Sequence, residues 1–298
     1  MFGGGVIALA AFLFAHIHAA EKPPNLLAIR AAGQKIAPLQ KPMPRPGAGD
    51  WLASHPEAGQ TFDQYLASNP NRPTATRTTI YILPLGDFST TQQRLIDRTA
   101  ELTTRFYGVP VKTLDPLALS AIPERARRVH PVVGVPQILT GYVLQNVLPP
   151  RRPKDAVATI ALTTSDLWPG EGWNFVFGEA SLTERVGVWS LARYGDPEKD
   201  AARVLRRTLN VATHELGHMF GIAHCIAHEC GMNGSNNLEE SDRQPLPFCS
   251  ECEQKIWWAC GVDPLARYTA LLEFAETNGL AREAAEWKAR LSALQTRR

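Results

Sequence analysis

The amino-acid sequence predicts an α/β (α+β) fold, and three observations support this prediction. Two apolar, β-branched runs at residues 79–85 and 156–163 are typical of buried strands. A charged stretch at residues 90–106, between these runs, is typical of a helix. The chain has 298 residues, of which 44% are hydrophobic, and this is enough to form the core of one large domain or two small ones.

Further elements follow in chain order. They are a strand at 109–113, a helix at 136–147, and strands at 174–178 and 186–191. Asp196, Pro197 and Glu198 are typical of a helix start, because they supply a cap, a proline at the first helical position and an acid in the first turn. We therefore expect a helix from this point to about Phe220.

The N-terminal end has two parts. Residues 1–20 are apolar and end in small residues, which resembles a signal peptide, but they contain no Lys or Arg. A translation start placed too far upstream is the alternative interpretation. Residues 22–50 are rich in Pro, Gly and Lys, and this composition predicts a flexible lead-in.

The C-terminal end predicts a helical hairpin. Apolar residues recur at helical spacing on both sides of Asn278 and Gly279, within residues 263–294. We expect the two helices to pack on the main domain, and a partner-binding appendage is the alternative.

Charge and hydropathy exclude several classes of protein. A formal net charge of +2 argues against a protein that chiefly binds phosphates, so the basic runs at 125–128 and 151–154 are interpreted as solvated loops and no nucleic-acid partner is expected. The longest apolar run is interrupted by His16 and His18 and falls short of the ~18 residues of a membrane span. No membrane partner is expected unless residues 1–20 are retained as an anchor.

The most informative segment has the pattern H-E-x-x-H-x-x-G-x-x-H. His214 and His218 are four residues apart, so on a helix they lie on the same face and can bind one zinc ion. Gly221 can adopt a left-handed conformation and end the helix, after which His224 can supply a third ligand. Three protein ligands leave one position open for water, as in catalytic zinc sites.

This arrangement predicts hydrolysis of an amide or peptide bond. Zinc lowers the pKa of a bound water to about 7 and polarises a carbonyl group. Glu215 lies beside the first histidine and is predicted to act as the general base on that zinc-activated water.

Four of the five cysteines form two close pairs. They are Cys225 and Cys230, followed after eighteen residues by Cys249 and Cys252. This spacing favours a structural zinc site with four thiolate ligands, and two disulfides are the alternative. The fifth, Cys260, is expected to be a small buried residue, and His228 a solvated loop residue.

These motifs resemble the archaemetzincins, a family of zinc-dependent metallopeptidases in the metzincin clan. The segments that carry the resemblance are HELGHMFGIAHCIAHECGM, CSEC, the intervening NGSNNLEESDRQPLPFC and the upstream GWNFVFGEASLTERVGVWSLARY. The resemblance extends from about Ile80 to Cys260. It implies a metzincin-like zincin domain with a mixed sheet, an active-site helix and a Met-turn, to which the chain adds the C-terminal helical hairpin.

The resemblance also implies the site residues. His214, His218 and His224 would bind a catalytic zinc, with Glu215 as base, and the four paired cysteines would bind a structural zinc, giving two Zn²⁺ per chain. Met232 would be the Met-turn residue. Metzincins bind extended substrate along an edge strand, for which residues 186–191 are the candidate by their order in the chain.

The implied domain boundaries are a signal-like segment at 1–20, a Pro-rich extension at 21–76, an archaemetzincin-like domain at 77–262 and a helical extension at 263–298. The substrate would be a peptide or protein, and the compartment cytoplasmic by resemblance, or extracytoplasmic if residues 1–20 are a signal peptide.

Several alternatives stay open from the sequence. A catalytically silent, zinc-stabilised module that binds peptides is the alternative function. Aminopeptidase and endopeptidase activity are not distinguished, and Trp173, Phe175 and Phe177 fit the core as well as the cleft.

Overall fold

The computed structural model describes residues 25–296, so the signal-like segment at 1–20 lies outside the described residues. The helices are α1 (Leu26–Ile36), α2 (Trp51–Ser54), α3 (Phe62–Ala67), α4 (Thr90–Tyr107), α5 (Thr140–Tyr142), α6 (Ala201–Met219), α7 (Leu238–Arg243), α8 (Ser250–Cys260), α9 (Pro264–Thr277) and α10 (Ala281–Gln295). The strands are β1 (Thr79–Leu85), β2 (Val111–Thr113), β3 (Arg127–Val129), β4 (Pro136–Leu139), β5 (Ala156–Thr163), β6 (Asp166–Trp168), β7 (Gly178–Ser181) and β8 (Val186–Ser190).

A five-stranded mixed sheet forms the centre of the fold. Its strand order is β2-β1-β5-β8-β7, with β7 antiparallel to β8 and the other pairs parallel. Every residue of β1 and β5 is buried, as expected for apolar parallel strands covered on both faces. These two strands confirm the predictions at 79–85 and 156–163. A second sheet has the order β3-β4-β6.

The prediction that residues 186–191 form the edge strand is wrong. β8 is an inner strand, because it pairs with β5 on one side and with β7 on the other. The outermost strand on this side is the short β7, of which only Gly178 falls within the strand predicted at 174–178. The backbone carbonyl groups of Trp173 and Asn174 bind the side chain of Arg128 instead of a neighbouring strand.

The helix predicted at 136–147 is wrong in its first part. Residues 136–139 form β4, which pairs with β3 and β6. Pro136, which has no N–H to donate, is the first residue of this strand, a position that proline tolerates. Helical structure begins at Thr140 and continues as a π-helix at Val143–Val147.

The flexible lead-in predicted at 22–50 is wrong for residues 25–43, because the chain is helical as far as Leu39 and then pairs with residues 227–229. The Asn25 side chain caps α1, accepting from Ala28 N at 3.2 Å, and Ile36 of this helix is 3% exposed. The helix packs on α8 and α10. Farther on, the Gln40 side chain accepts from Ser250 N at 3.0 Å, at the start of α8. The packing of the apolar face of α1 therefore orders this part of the chain, despite the Pro-rich composition of the residues that follow the helix.

The predicted long helix exists but begins later than expected. Asp200 caps α6 by accepting from Arg203 N at 3.1 Å, whereas the Asp196 side chain accepts from Glu198 N within a preceding turn. The C-terminal hairpin is confirmed as α9 and α10, which pack on each other and on α4 and α1 respectively. Within residues 25–296, no helix combines the length and apolar character that a membrane crossing requires.

Candidate active site

The three motif histidines converge at the C-terminal end of α6. His214 and His218 lie one turn apart, with their Nε2 atoms 3.0 Å apart. Gly221, with a φ of 81°, follows the end of the helix in a left-handed conformation, as the motif predicted. The chain then returns, and His224 brings its ring centroid to 4.8 Å from that of His218. The candidate ligand atoms of all three lie within 4.8 Å of one another.

Each of these histidines is oriented through its Nδ1 atom. Nδ1 of His214 lies 2.9 Å from the Gly231 carbonyl oxygen, and Nδ1 of His218 lies 2.7 Å from that of Ile222. Nδ1 of His224 lies 2.8 Å from Oε1 of Glu57. Because all three partners are acceptors, they place the proton on Nδ1 and leave each Nε2 lone pair for a common ligand.

His214 and His218 are neutral, as metal ligands must be. Burial, together with the neighbouring imidazole rings, lowers the pKa of His214 well below its ordinary value. Burial also lowers the pKa of His218, to about 4. Zinc–nitrogen bonds of about 2.0–2.1 Å place tetrahedral ligands roughly 3.4 Å apart, close to the spacing of these two Nε2 atoms. The residues present therefore fit a zinc ion.

Glu215 lies in the same cleft as the three histidines. The cleft has a volume of about 500 Å³. Burial raises the pKa of the Glu215 carboxyl to about 7. The cleft is also lined by Trp51, by Asn236, and by Trp173 and the residues that follow it to Gly178. Trp173, Phe175 and Phe177, which the sequence left unassigned, thus line the cleft.

The four paired cysteines form a second cluster, buried beside the first. They are Cys225, Cys230, Cys249 and Cys252, and their Sγ atoms all lie within 4.8 Å of one another. All are free thiols, and Sγ of Cys225 lies 3.7 Å from Sγ of Cys249. Zinc–sulfur bonds of about 2.3 Å place tetrahedral ligands roughly 3.8 Å apart, so the cluster fits a zinc ion.

Hydrogen bonds within the cluster favour the thiolate form at Cys249, whereas burial raises the pKa of Cys230. Hydrogen bonding to Cys225 and to the other two thiols lowers the pKa of Cys249 well below its ordinary value. Sγ of Cys230 also accepts from the backbone N–H of Cys249 at 3.1 Å. The cluster and the histidines share one loop, because Cys225 directly follows His224.

Comparison with known proteins agrees with this geometry. The model of Peptidase family M54 matches residues 154–257. Archaemetzincin-2 of Homo sapiens is 35% identical over 283 residues, covering 82% of this chain and 77% of that protein. The archaemetzincin of Thermococcus kodakarensis is 35% identical over 185 residues, covering 59% of this chain and 94% of that protein.

This chain belongs to the archaemetzincin family. A crystal structure of the archaemetzincin from Methanopyrus kandleri is 31% identical, with a TM-score of 0.51, and the match covers 64% of this chain and 99% of that one. The family and fold implied by the sequence resemblance are thus confirmed. As a member of family M54, the protein is a zinc metallopeptidase, and its substrates are peptides or proteins.

Met232 of this archaemetzincin packs against α6 within the segment that carries His214 and His218. Its side chain is fully buried against Gly217, which lies between His214 and His218 on α6. The Met232 carbonyl oxygen accepts from Cys225 N at 2.8 Å. This loop therefore connects α6, which carries His214 and His218, to the cysteine cluster.

Two polar residues of the site were missed from the sequence. Glu57 lies far upstream of the motif, in a segment without any recognised pattern. Asn233 follows Met232 and is buried, where its amide donates to the carbonyl oxygen atoms of Cys225, at 2.6 Å, and His228, at 2.9 Å. A polar residue directly after a cysteine motif was the available signal for Asn233.

His228 is not the solvated loop residue that was predicted. It is half-buried, with its Nε2 atom 2.9 Å from the side-chain nitrogen of Gln40. Hydrogen bonding to Cys249 raises the pKa of His228. Cys260 is buried, as predicted, and burial raises the pKa of its thiol to about 12.

Proposed function

We propose that His214, His218 and His224 bind the catalytic zinc of this peptidase and that Glu215 is its general base. The observation that carries the proposal is the convergence of three imidazoles whose Nδ1 atoms are all held by acceptors, beside a carboxyl group in an open cleft. When bound, zinc would lower the pKa of a water and polarise the scissile carbonyl group.

Within this proposal the chain's own residues have separate tasks. The Glu215 carboxylate takes a proton from the attacking water and passes it to the nitrogen of the leaving amine. The histidines hold the metal through Nε2 and keep their Nδ1 protons in hydrogen bonds.

We further propose that extended substrate pairs with β7. This is the outermost strand of the five-stranded sheet, and its first residue, Gly178, lines the cleft. An exposed strand edge can bind an extended peptide through main-chain hydrogen bonds. The aromatic residues before it, Phe175 and Phe177, would then contact substrate side chains.

We also propose that the four clustered cysteines bind a second, structural zinc, giving two zinc ions per chain. The short Sγ–Sγ distance and the complete burial of the cluster support four thiolate ligands without an open position. By clamping the loop that carries His224, this zinc would fix the third ligand of the catalytic site.

The proposed activity is tested by comparing wild type with Glu215→Gln on a broad peptide library, with cleavage products identified by mass spectrometry. We expect wild type to cleave and the variant to lose at least ~100-fold in rate, with unchanged zinc content, because a general base contributes about 10²–10⁴-fold. The positions of the cut bonds distinguish aminopeptidase from endopeptidase activity. Equal inertness of both proteins would instead favour a peptide-binding module.

A further inference from the structure

The segment at residues 50–71, here called the N-terminal arm, lies against the candidate active site. It comprises α2, α3 and the residues between and after them, and it lies outside the residues that the M54 family model matches. Its side chains bind the turn that follows α6 through four hydrogen bonds: Tyr65 Oη to Phe220 O (2.8 Å), Gln60 Nε2 to Gly221 O (3.2 Å), Ala223 N to Gln60 Oε1 (3.2 Å) and Asn71 Nδ2 to Met219 O (3.1 Å).

Glu57 is the residue of this arm that contacts a candidate metal ligand. Its two carboxylate oxygen atoms lie 2.8 and 3.0 Å from Nδ1 of His224. His214 and His218 have backbone carbonyl oxygen atoms as Nδ1 partners, so His224 alone of the three is held by a charged group. His224 is also the ligand that comes from a loop instead of the helix, and its ring depends most on an external partner.

The arm fixes Glu57 as well. The Trp51 indole N–H donates to Glu57 Oε1 at 2.9 Å, and the Trp51 backbone N–H donates to Glu240 Oε1 of α7 at 2.9 Å. The Trp51 ring stacks on His55 with centroids 3.9 Å apart and presents its edge to His224 at 5.5 Å. A chain of contacts therefore runs from α7 through the arm to the third histidine.

We propose that Glu57 is a positioning residue of the metal site and that the N-terminal arm completes the active site. The proposal rests on the proposed function, in that His224 must bind the catalytic metal. A carboxylate on Nδ1–H fixes the tautomer and the orientation of the ring, and it makes Nε2 a stronger donor to the metal. Glu57 thus acts on the metal through His224 without touching it.

The test compares full-length Glu57→Gln and Glu57→Ala with wild type in zinc affinity. Glutamine retains an acceptor for Nδ1–H without the charge, whereas alanine removes both. Glu239→Gln is the matched control, because the Glu239 side chain is 91% exposed and makes only a distant ion pair with Arg243. Affinity is measured by competition for zinc with a chromophoric chelator, and the cobalt-substituted proteins are compared by their visible absorption spectra.

We expect the dissociation constant of the zinc at the histidine site to rise at least about tenfold in Glu57→Ala and by a smaller factor in Glu57→Gln. It should not change in Glu239→Gln. The cobalt bands of the histidine site should shift in the Glu57 variants, while the thiolate-to-cobalt charge-transfer bands stay unchanged. Those thiolate bands and the melting temperature report whether each variant is folded. If Glu57→Ala does not fold, the near-isosteric Glu57→Gln provides the test of zinc affinity.

Wild-type affinity and unshifted histidine-site bands in Glu57→Gln and in any folded Glu57→Ala would overturn the proposal. This result would leave the proposed function intact wherever wild type cleaves peptides. Conversely, weakened zinc binding in the Glu57 variants of a protein that cleaves no peptide would support the positioning role and refute the proposed activity. A wild type that binds no metal at the histidines would overturn both.

Discussion

Gly217 is the residue at which the active-site helix and the loop carrying Met232 meet. A Cβ atom added there would lie 2.4 Å from Sδ of Met232 and 3.5 Å from the ring of Phe248. The absence of a side chain at this position lets Met232 pack directly on α6, between the turns that carry His214 and His218. Close packing at one glycine thus determines how the Met232 loop meets the helix that carries two of the candidate zinc ligands.

Gly217→Ala should therefore destabilise the protein. Overpacking costs about 1–3 kcal/mol, and because Met232 is fully buried we expect a cost above the roughly 1 kcal/mol that alanine gains over glycine inside a helix. Chemical denaturation measures the change in the free energy of unfolding. The control is Gly141→Ala, where a Cβ atom would meet nothing within 4 Å. If Gly217→Ala costs as much in a Met232→Ala background as in wild type, the contact is not the cause.

Asn233 stabilises the loop that carries Cys225 and Cys230. Its buried side chain accepts from Cys230 N at 2.7 Å and donates to the carbonyl oxygen of Cys225 at 2.6 Å, so it fixes the backbone of two candidate zinc ligands. These two hydrogen bonds hold the ends of the loop together without any contribution from a metal ion.

We expect Asn233→Ala to release the cysteine-bound zinc faster than wild type and to lower the melting temperature, because buried backbone groups lose their partners at a cost of about 1–3 kcal/mol each. Zinc release is followed with a chromophoric chelator. Asn146→Ala, at an exposed asparagine, is the control. Release at the wild-type rate from a folded Asn233→Ala protein would contradict this role.

Sequence reasoning succeeded at the residue scale wherever the relevant partners are close in the chain. The spacing of His214, His218 and His224 follows from one helix and one turn. Glu57 was missed because its contact with His224 spans 167 residues. No local pattern encodes such a pairing, since it depends on how the N-terminal arm packs on the finished domain.

At the scale of elements, α8 joins the cysteine cluster to the C-terminal hairpin. Glu253, one residue after Cys252, is fully buried, and its carboxylate accepts from Arg267 of α9 at 2.6 Å and from Arg290 of α10 at 3.3 Å. Arg290 also donates to the Phe248 carbonyl oxygen. The hairpin is thus held to the main domain by buried ion pairs in addition to apolar packing.

Glu253→Gln should cost about 3–5 kcal/mol of stability, because it leaves two buried guanidinium groups without a counter-charge. The free energy of unfolding from urea titrations measures the effect. Glu276→Gln, at an exposed position on α9, is the matched control and should be neutral. A cost below ~1 kcal/mol for Glu253→Gln would show that apolar contacts alone hold the hairpin.

Prediction of strands from the sequence succeeded for continuous apolar runs. It failed where pairing with a distant segment determines whether a strand forms and where it lies in the sheet. The runs that form β1 and β5 are buried on both faces, so their composition alone is enough to predict them as strands. In contrast, residues 174–177 have strand-like composition, yet the Asn174 carbonyl accepts from Arg128 and Gln137, and Val176 forms only an isolated bridge with Leu167 of β6. Strand order, which makes β7 and not β8 the outermost strand, also depends on pairing between distant segments.

At the scale of the whole molecule, the two candidate metal sites differ in access. The histidines are half-buried and line an open cleft, whereas the four clustered cysteines are all buried. The cysteine site also joins segments from both ends of the chain, since Gln40 contacts His228 on one side and α8 continues into the hairpin on the other. Loss of metal from the two sites should therefore have different consequences.

A chelator titration should remove the metals in two stages. The first zinc leaves the open histidine site, and peptide hydrolysis disappears while circular dichroism and melting temperature change little. The second leaves the cysteine site at higher chelator concentration and unfolds the domain, because binding at a structural site is coupled to folding. Simultaneous loss of activity and structure would contradict the separate tasks of the two sites.

Two zinc ions per chain are the central requirement of the proposed function, and elemental analysis of protein purified without chelator measures their number directly. We predict about two zinc ions per chain in wild type, one in Cys249→Ser or His218→Ala where the variant remains folded, and two in Glu215→Gln. Wild-type protein that binds one zinc or fewer after zinc supplementation would contradict the account.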